Sequence, residues 1–234
     1  MTNAHPAAAN ESFVVTTSVS EAGNNEPIAK HRIVFDGGVA YDFDEQDDAV
    51  LTVFDTNRNR IVLLNRTAKV RCFVNTDDLT KMAAVLQLNA DTPAKKERLG
   101  MSANVQVDES QAYSIRFGNA QDGSMQYTST TQTPPVKTAA FQFGQFANWA
   151  SRLNMAQRLS LPPFARIKLN ERIAAAGQMP DQLELEINRH GQTSRYKSKH
   201  ILDNKLTDED RKRINEASGM IALFTDTPLK DFPN

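Results

Sequence analysis

The sequence predicts an α+β fold: a curved antiparallel meander sheet, an incomplete barrel, with helices packed on one face. Two observations carry this. From Phe13 to Val74 the chain is a succession of short apolar runs broken by turn residues, with no stretch able to serve as a crossover helix. Parallel strands need such crossovers, and antiparallel hairpins do not. Apolar residues at helical i, i+3, i+4 spacing appear only after Asn75, and later strands alternate apolar and charged residues.

Taken in order, residues 1–10 read as a small, polar, disordered tail. Phe13, Val15 and Val19 among Thr and Ser suggest a first strand, and Gly23 to Pro27 a loop. In HRIVFDGGVAYDF, His31, Ile33 and Phe35 alternate with Arg32, Val34 and Asp36. Asp36-Gly37-Gly38 is a tight-turn sequence, and a three-residue loop there sets Phe35 opposite Val39 and Ile33 opposite Tyr41. AVLTVF and RIVLLN form a second hairpin across the polar cluster Asp55 to Asn59, and both faces of these strands are apolar. A strand over Lys69 to Val74 completes a meander of five or six.

Asn75, with Asp77 and Asp78 behind it, caps a helix whose stripe is Leu79, Met82, Ala83 and Leu86. Pro93 separates it from a short helical piece near Lys95 to Met101. Tyr113, Ile115 and Phe117, then Met125 and Tyr127, form a hairpin around Asp122-Gly123, ended by Pro134-Pro135. A helix follows with the stripe Phe146, Trp149, Ala150 and Leu153. The next starts at Pro163 and stops at Gly177. Leu183, Leu185 and Ile187 mark a half-buried strand, turned at His190-Gly191 into Thr193 to Ile201. Thr207 to Asp210 caps a last helix with Ile214, Ala217 and Ile221 inward. Residues 11–224 thus read as one α+β domain, with 134–140 as the place for any subdivision and 225–234 as an irregular tail.

Composition narrows function. A net charge of −1 gives no general attraction to nucleic acid. No apolar run approaches the roughly 20 residues of a transmembrane helix. No signal-peptide pattern opens the chain, which points to the cytoplasm, with a periplasmic protein that has lost its leader as the alternative. Cys72, the single cysteine, excludes an intramolecular disulfide and alternates with Val70 and Val74 as a small core hydrophobe.

Catalytic and metal motifs are missing. Asp55-x-Asn57-x-Asn59 matches the first EF-hand ligands, but Arg60 stands where Gly is needed and Arg66 where the bidentate Glu is needed. Asp42, Asp44, Glu45, Asp47 and Asp48 read as a solvated loop. His5, His31, His190 and His200 have no zinc-ligand spacing. There is no G-x-S-x-G elbow, P-loop or dinucleotide fingerprint. No catalytic residue, metal or cofactor is assigned, and the chain reads as a binding protein rather than an enzyme.

The element order, with the string YDF…LTVFDTNRNRIVLL, resembles the periplasmic lipoprotein carriers (LolA/LolB-like), and that resemblance implies an incomplete barrel under a helical lid. It spans Phe13 to Phe117. The start VFDGGVAYDF also resembles uncharacterised bacterial proteins, which implies no function.

The expected site is an apolar groove between sheet and helices, lined by Phe143, Phe146, Trp149 and Leu153, for a lipid-like or apolar ligand. Trp149→Asp or Trp149→Arg is expected to abolish ligand retention. One alternative is an enzyme whose scattered acids and bases include Asp42, Asp44, His31 and His200. Another is a protein-interaction module using the basic hairpin 189–200, with Arg189, Arg195, Lys197 and Lys199 as the anion- or partner-binding residues.

Overall fold

A computed structural model describes residues 11–24, 26–119, 122–134, 136–157 and 161–233. The tail expected at 1–10, including His5, lies outside them. Six strands come first: β1 (Phe13–Glu21), β2 (Ala29–Asp36), β3 (Val39–Asp44), β4 (Val50–Asp55), β5 (Arg60–Asn65) and β6 (Val70–Asn75). Helices α1 (Thr76–Asn89) and α2 (Pro93–Arg98) lead to β7 (Gln106–Val107), β8 (Tyr113–Asn119) and β9 (Gly123–Gln132). Then come α3 (Ala139–Ala156), α4 (Pro163–Ala175), β10 (Met179–Arg189), β11 (Gln192–Asp203), α5 (Asp208–Leu223) and β12 (Thr225–Asp226).

The strands form one sheet in the order β12-β6-β5-β4-β3-β2-β1-β11-β10-β9-β8-β7. It is two antiparallel meanders joined where β1 pairs with β11, so the fold is α+β with a curved, unclosed sheet. Among the described residues only the short β12–β6 pair is parallel. The last ten residues are not wholly irregular: they supply β12, and Phe232 is buried in the main core. No helix among the described residues is long and apolar enough to cross a membrane.

The first hairpin differs from the sequence expectation by one residue. Gly37 and Gly38 both have positive φ, 58° and 80°, which glycine adopts without a Cβ clash. They make a two-residue turn that pairs Asp36 with Val39, Phe35 with Ala40 and Ile33 with Asp42. A one-residue slip moves every side chain to the other face of the sheet. Ala40 and Asp42 therefore share a face with Ile33 and Phe35, and Val39, Tyr41 and Phe43 take the opposite one.

That alternation defines two packed faces. On the inner face, Phe13, Val15, Phe35, Phe54, Ile61 and Cys72 pack with α3. Farther along it, Ile115 and Tyr127 meet Ala165, Leu169 and Ile173 of α4. On the outer face, Val14, Val34, Phe43, Leu51 and Val62 pack against Ala217 of α5. α5 is thus the helix that departs from the one-face arrangement, and it explains why β4 and β5 are apolar on both sides.

Helix α1 keeps Leu79 and Ala83 buried, but Met82 is exposed, together with Val85 and Leu88. The acids of the β3–β4 loop are turn and surface groups. Asp44 Oδ1 accepts from the Gln46 and Asp47 backbone amides, Asp47 accepts from Ala49, and Glu45 pairs with Lys30. Asp42 is the exception, because it lines the inner face. Asp55 is buried and accepts from Arg58 and Arg60, so its carboxylate is already neutralised by guanidinium groups.

Candidate functional site

A cavity of about 600 Å³ lies between the inner face of the sheet and the α3–α4 pair. Its size falls in the range typical of small-molecule pockets. Strands β1, β2, β4 and β10 contribute Val19, Ile33, Phe54, Leu183 and Leu185. α3 contributes Phe143, Phe146, Ala147, Ala150 and Leu153, and Leu161 to Pro163 close the wall at the start of α4. Most of the lining residues are aliphatic or aromatic, and the rest, among them Thr17, His31, Asp42, Arg166 and His200, place polar groups at defined points.

Strand register sets those polar groups. His31 lies opposite Thr17 across β1–β2, and Thr17 lies opposite His200 across β1–β11. All three line the cavity, as does Asp42. His31 Nδ1 is 2.9 Å from Asp42 Oδ1. That hydrogen bond raises the His31 pKa above its ordinary 6.5; burial opposes the shift, and the charges of Asp42 and Asp44 reinforce it.

His200 behaves in the opposite sense. It is buried, its Nδ1 is 2.9 Å from Thr17 Oγ1, and its ring meets that of Phe143 edge-on at 5.5 Å. Burial, with the nearby Arg166 guanidinium adding to it, pushes its pKa down to about 3. It is neutral at any physiological pH.

Arg166, on the first turns of α4, also lines the cavity. Its guanidinium lies 5.7 Å from the centroid of the Tyr127 ring. No carboxylate pairs with it among the described residues. Burial disfavours its charge, and the phenol of Tyr127 offsets that only in part. The sequence alone offers a weak sign of this: no acid stands three or four residues to either side of Arg166.

Of the residues expected to hold an apolar ligand, Phe143, Phe146 and Leu153 line the cavity and Trp149 does not. Phe143, Ala147, Ala150 and Asn154 follow the i, i+4, i+7, i+11 spacing of one helix face. Trp149 falls off that face, packs against the main core and carries the Arg152 guanidinium 4.9 Å over its ring. Of the scattered acids and bases, His31, Asp42 and His200 come together on the wall, and Asp44 is turned into its loop.

The basic hairpin is laced with ion pairs. Arg195 pairs with Glu186 at 2.8 Å and Lys197 with Glu184 at 3.1 Å, all across the β10–β11 ladder. The intervening Tyr196, Ser198 and His200 face the cavity. Arg189 ends β10 and Lys199 lies opposite Gln182. No group of three or more His, Cys, Asp or Glu could hold a metal ion among the described residues.

No family model and no curated protein matches the chain. Among solved structures, a DnaN sliding clamp (DNA polymerase III subunit beta) from Bartonella birtlesii, bound to griselimycin, aligns over 87% of this chain and 59% of that one, at 9% identity. The chain thus spans less than two thirds of the clamp's length, and a TM-score of 0.13 carries no argument about fold or function.

Proposed function

We propose that this protein binds a lipid-like, largely apolar ligand in the cavity between its sheet and the α3–α4 pair. The observation that carries the reading is the cavity itself: about 600 Å³ of space lined mainly by aliphatic and aromatic side chains. A packed interior leaves few voids larger than a water molecule, so a space this size under two helices is a ligand-sized feature. Native against denaturing mass spectrometry on gently purified protein tests it. Extra native mass of several hundred daltons, extractable into organic solvent, is the expected result. Protein that carries no such mass and takes up no alkyl-chain probe overturns the reading.

The His31–Asp42 pair supports a second reading. A carboxylate that orients one imidazole nitrogen leaves the other free as a general base. An enzyme would use it on a bound ligand, and Asp42→Asn would then cut turnover by about a hundredfold or more while ligand still bound. The binding reading predicts that the same variant holds ligand and that wild type leaves it chemically unchanged.

A further inference from the structure

We infer that the ligand is a single-chain amphiphile whose monoanionic carboxylate is held by Arg166, with its alkyl chain among Phe54, Phe146 and Leu183. The inference rests on the binding reading above and names the chemistry of its ligand.

Three observations lead to it. First, Arg166 is a permanent cation on the wall of a mostly apolar cavity, with no paired acid among the described residues. A half-buried charge that faces a mostly apolar cavity without a partner carries a desolvation cost, and a face-on aromatic ring compensates only part of it. Second, the cavity's own acid does not supply the partner. Asp42 is the one carboxylate among its described lining residues, and it is taken by His31 at 2.9 Å. Third, the end of α4 that carries Arg166 supplies no anion of its own. α4 begins at Pro163 with no acid in its first turn and no side chain capping it, so the positive end of its dipole adds to the guanidinium.

Together these make a site complementary to one negative charge at the head of an apolar chain. A carboxylate matches a guanidinium in a bidentate pair and leaves no residual charge. A phosphomonoester would bring a second negative charge into a mostly apolar cavity that holds no second free cation among its described lining residues.

The test is binding of dodecanoate, dodecanol and dodecyl phosphate at pH 8 to wild type, Arg166→Gln and Arg166→Met, by displacement of a fluorescent apolar probe. Wild type is expected to hold dodecanoate about tenfold or more tighter than dodecanol. Both variants are expected to lose that preference, holding dodecanoate no more than about twofold tighter than dodecanol, and Arg166→Met keeps the apolar stem should Arg166→Gln fold poorly. Equal wild-type affinity for acid and alcohol overturns the carboxylate inference and leaves the apolar-groove reading intact. So does a preference that survives both variants. Tighter binding of dodecyl phosphate assigns the head to phosphate and overturns the inference as stated. Failure of both dodecanoate and dodecanol to bind overturns the groove reading with it.

Discussion

His31 Nδ1 stands 2.9 Å from Asp42 Oδ1 because the β2–β3 turn holds two residues and not three. With a three-residue turn Asp42 would face α5, and His31 would have no acid beside it. The pair makes His31 the titratable histidine of the cavity. Its proton should leave above pH 6.5, read from the imidazole resonances by NMR, and Asp42→Asn should bring that midpoint down. The linkage sign follows. A raised folded-state pKa contributes stability that is complete below the unfolded value of 6.5 and is lost as pH rises through the folded value. Urea titrations on either side of neutrality should show wild type losing a little stability as pH rises and Asp42→Asn losing less. A midpoint unchanged by Asp42→Asn would rule out Asp42 as the cause.

His200 should do the reverse. Its folded pKa lies at about 3, far below the ordinary 6.5, so the unfolded chain binds the proton first on acidification. Its contribution is complete above pH 6.5 and falls away toward pH 3, by roughly 1.4 kcal/mol per pH unit within that window. His200→Gln should flatten the acid limb of the stability profile. Thr17→Val should cost about 1–3 kcal/mol at neutral pH, since it leaves a buried ring nitrogen without its partner. Equal acid slopes in wild type and His200→Gln would mean that the imidazole is not held neutral.

How much of this was legible in the sequence depended on how local the determinant was. The strands of the first meander follow from short apolar runs and Gly or Asn turns, and the α5 cap follows from Thr207 to Asp210 within one turn. The register of the first hairpin does not follow. Asp-Gly-Gly suits a two- or a three-residue loop, and both put apolar residues on each face, so alternation alone could not choose. The second packed face stayed hidden for the same reason: double-sided apolar strands say that both faces are covered, not by what. Phe143, Phe146 and Leu153 were legible as part of an apolar helix. Trp149 lies off the cavity wall, which the sequence does not show, because helical spacing gives a stripe but not which edge of it turns toward a cavity. Arg166 left only the weak sign of having no acid three or four residues away, because the absence of an ion-pair partner is a property of the folded surroundings.

The Arg32–Asp210 pair ties the outer helix to the sheet. Asp210 is buried and accepts from Arg32 Nε at 2.6 Å and Nη2 at 2.8 Å, and from the Thr207 amide and hydroxyl. Burial alone would raise its pKa, but these donors and the Arg32 charge hold it at about 2. The stability it contributes is therefore complete above the ordinary carboxylate value and lost as pH falls toward 2. Asp210→Ala should cost about 3–5 kcal/mol, because it leaves Arg32 without its acid and removes half of the capping box. Thr207→Ala removes only the cap and should cost about 0.5–2 kcal/mol. Equal losses from the two variants, measured by urea unfolding, would show that the cap and not the ion pair secures α5.

Replacements on α3 separate the cavity from the core around it. Ala150 lines the cavity, and Trp149 beside it does not. Ala150→Phe puts a ring into the cavity, so if the proposed reading holds, retention of an alkyl-chain probe should fall by about tenfold or more while the fold survives. Trp149→Ala removes a partly buried ring that packs on the core and under Arg152, so it should lower stability by about 1–3 kcal/mol with probe affinity changed less than about threefold. This reverses the expectation that Trp149 grips the ligand. Probe binding lost in folded Trp149→Ala and kept in Ala150→Phe would move the site to the other side of α3 and away from the sheet.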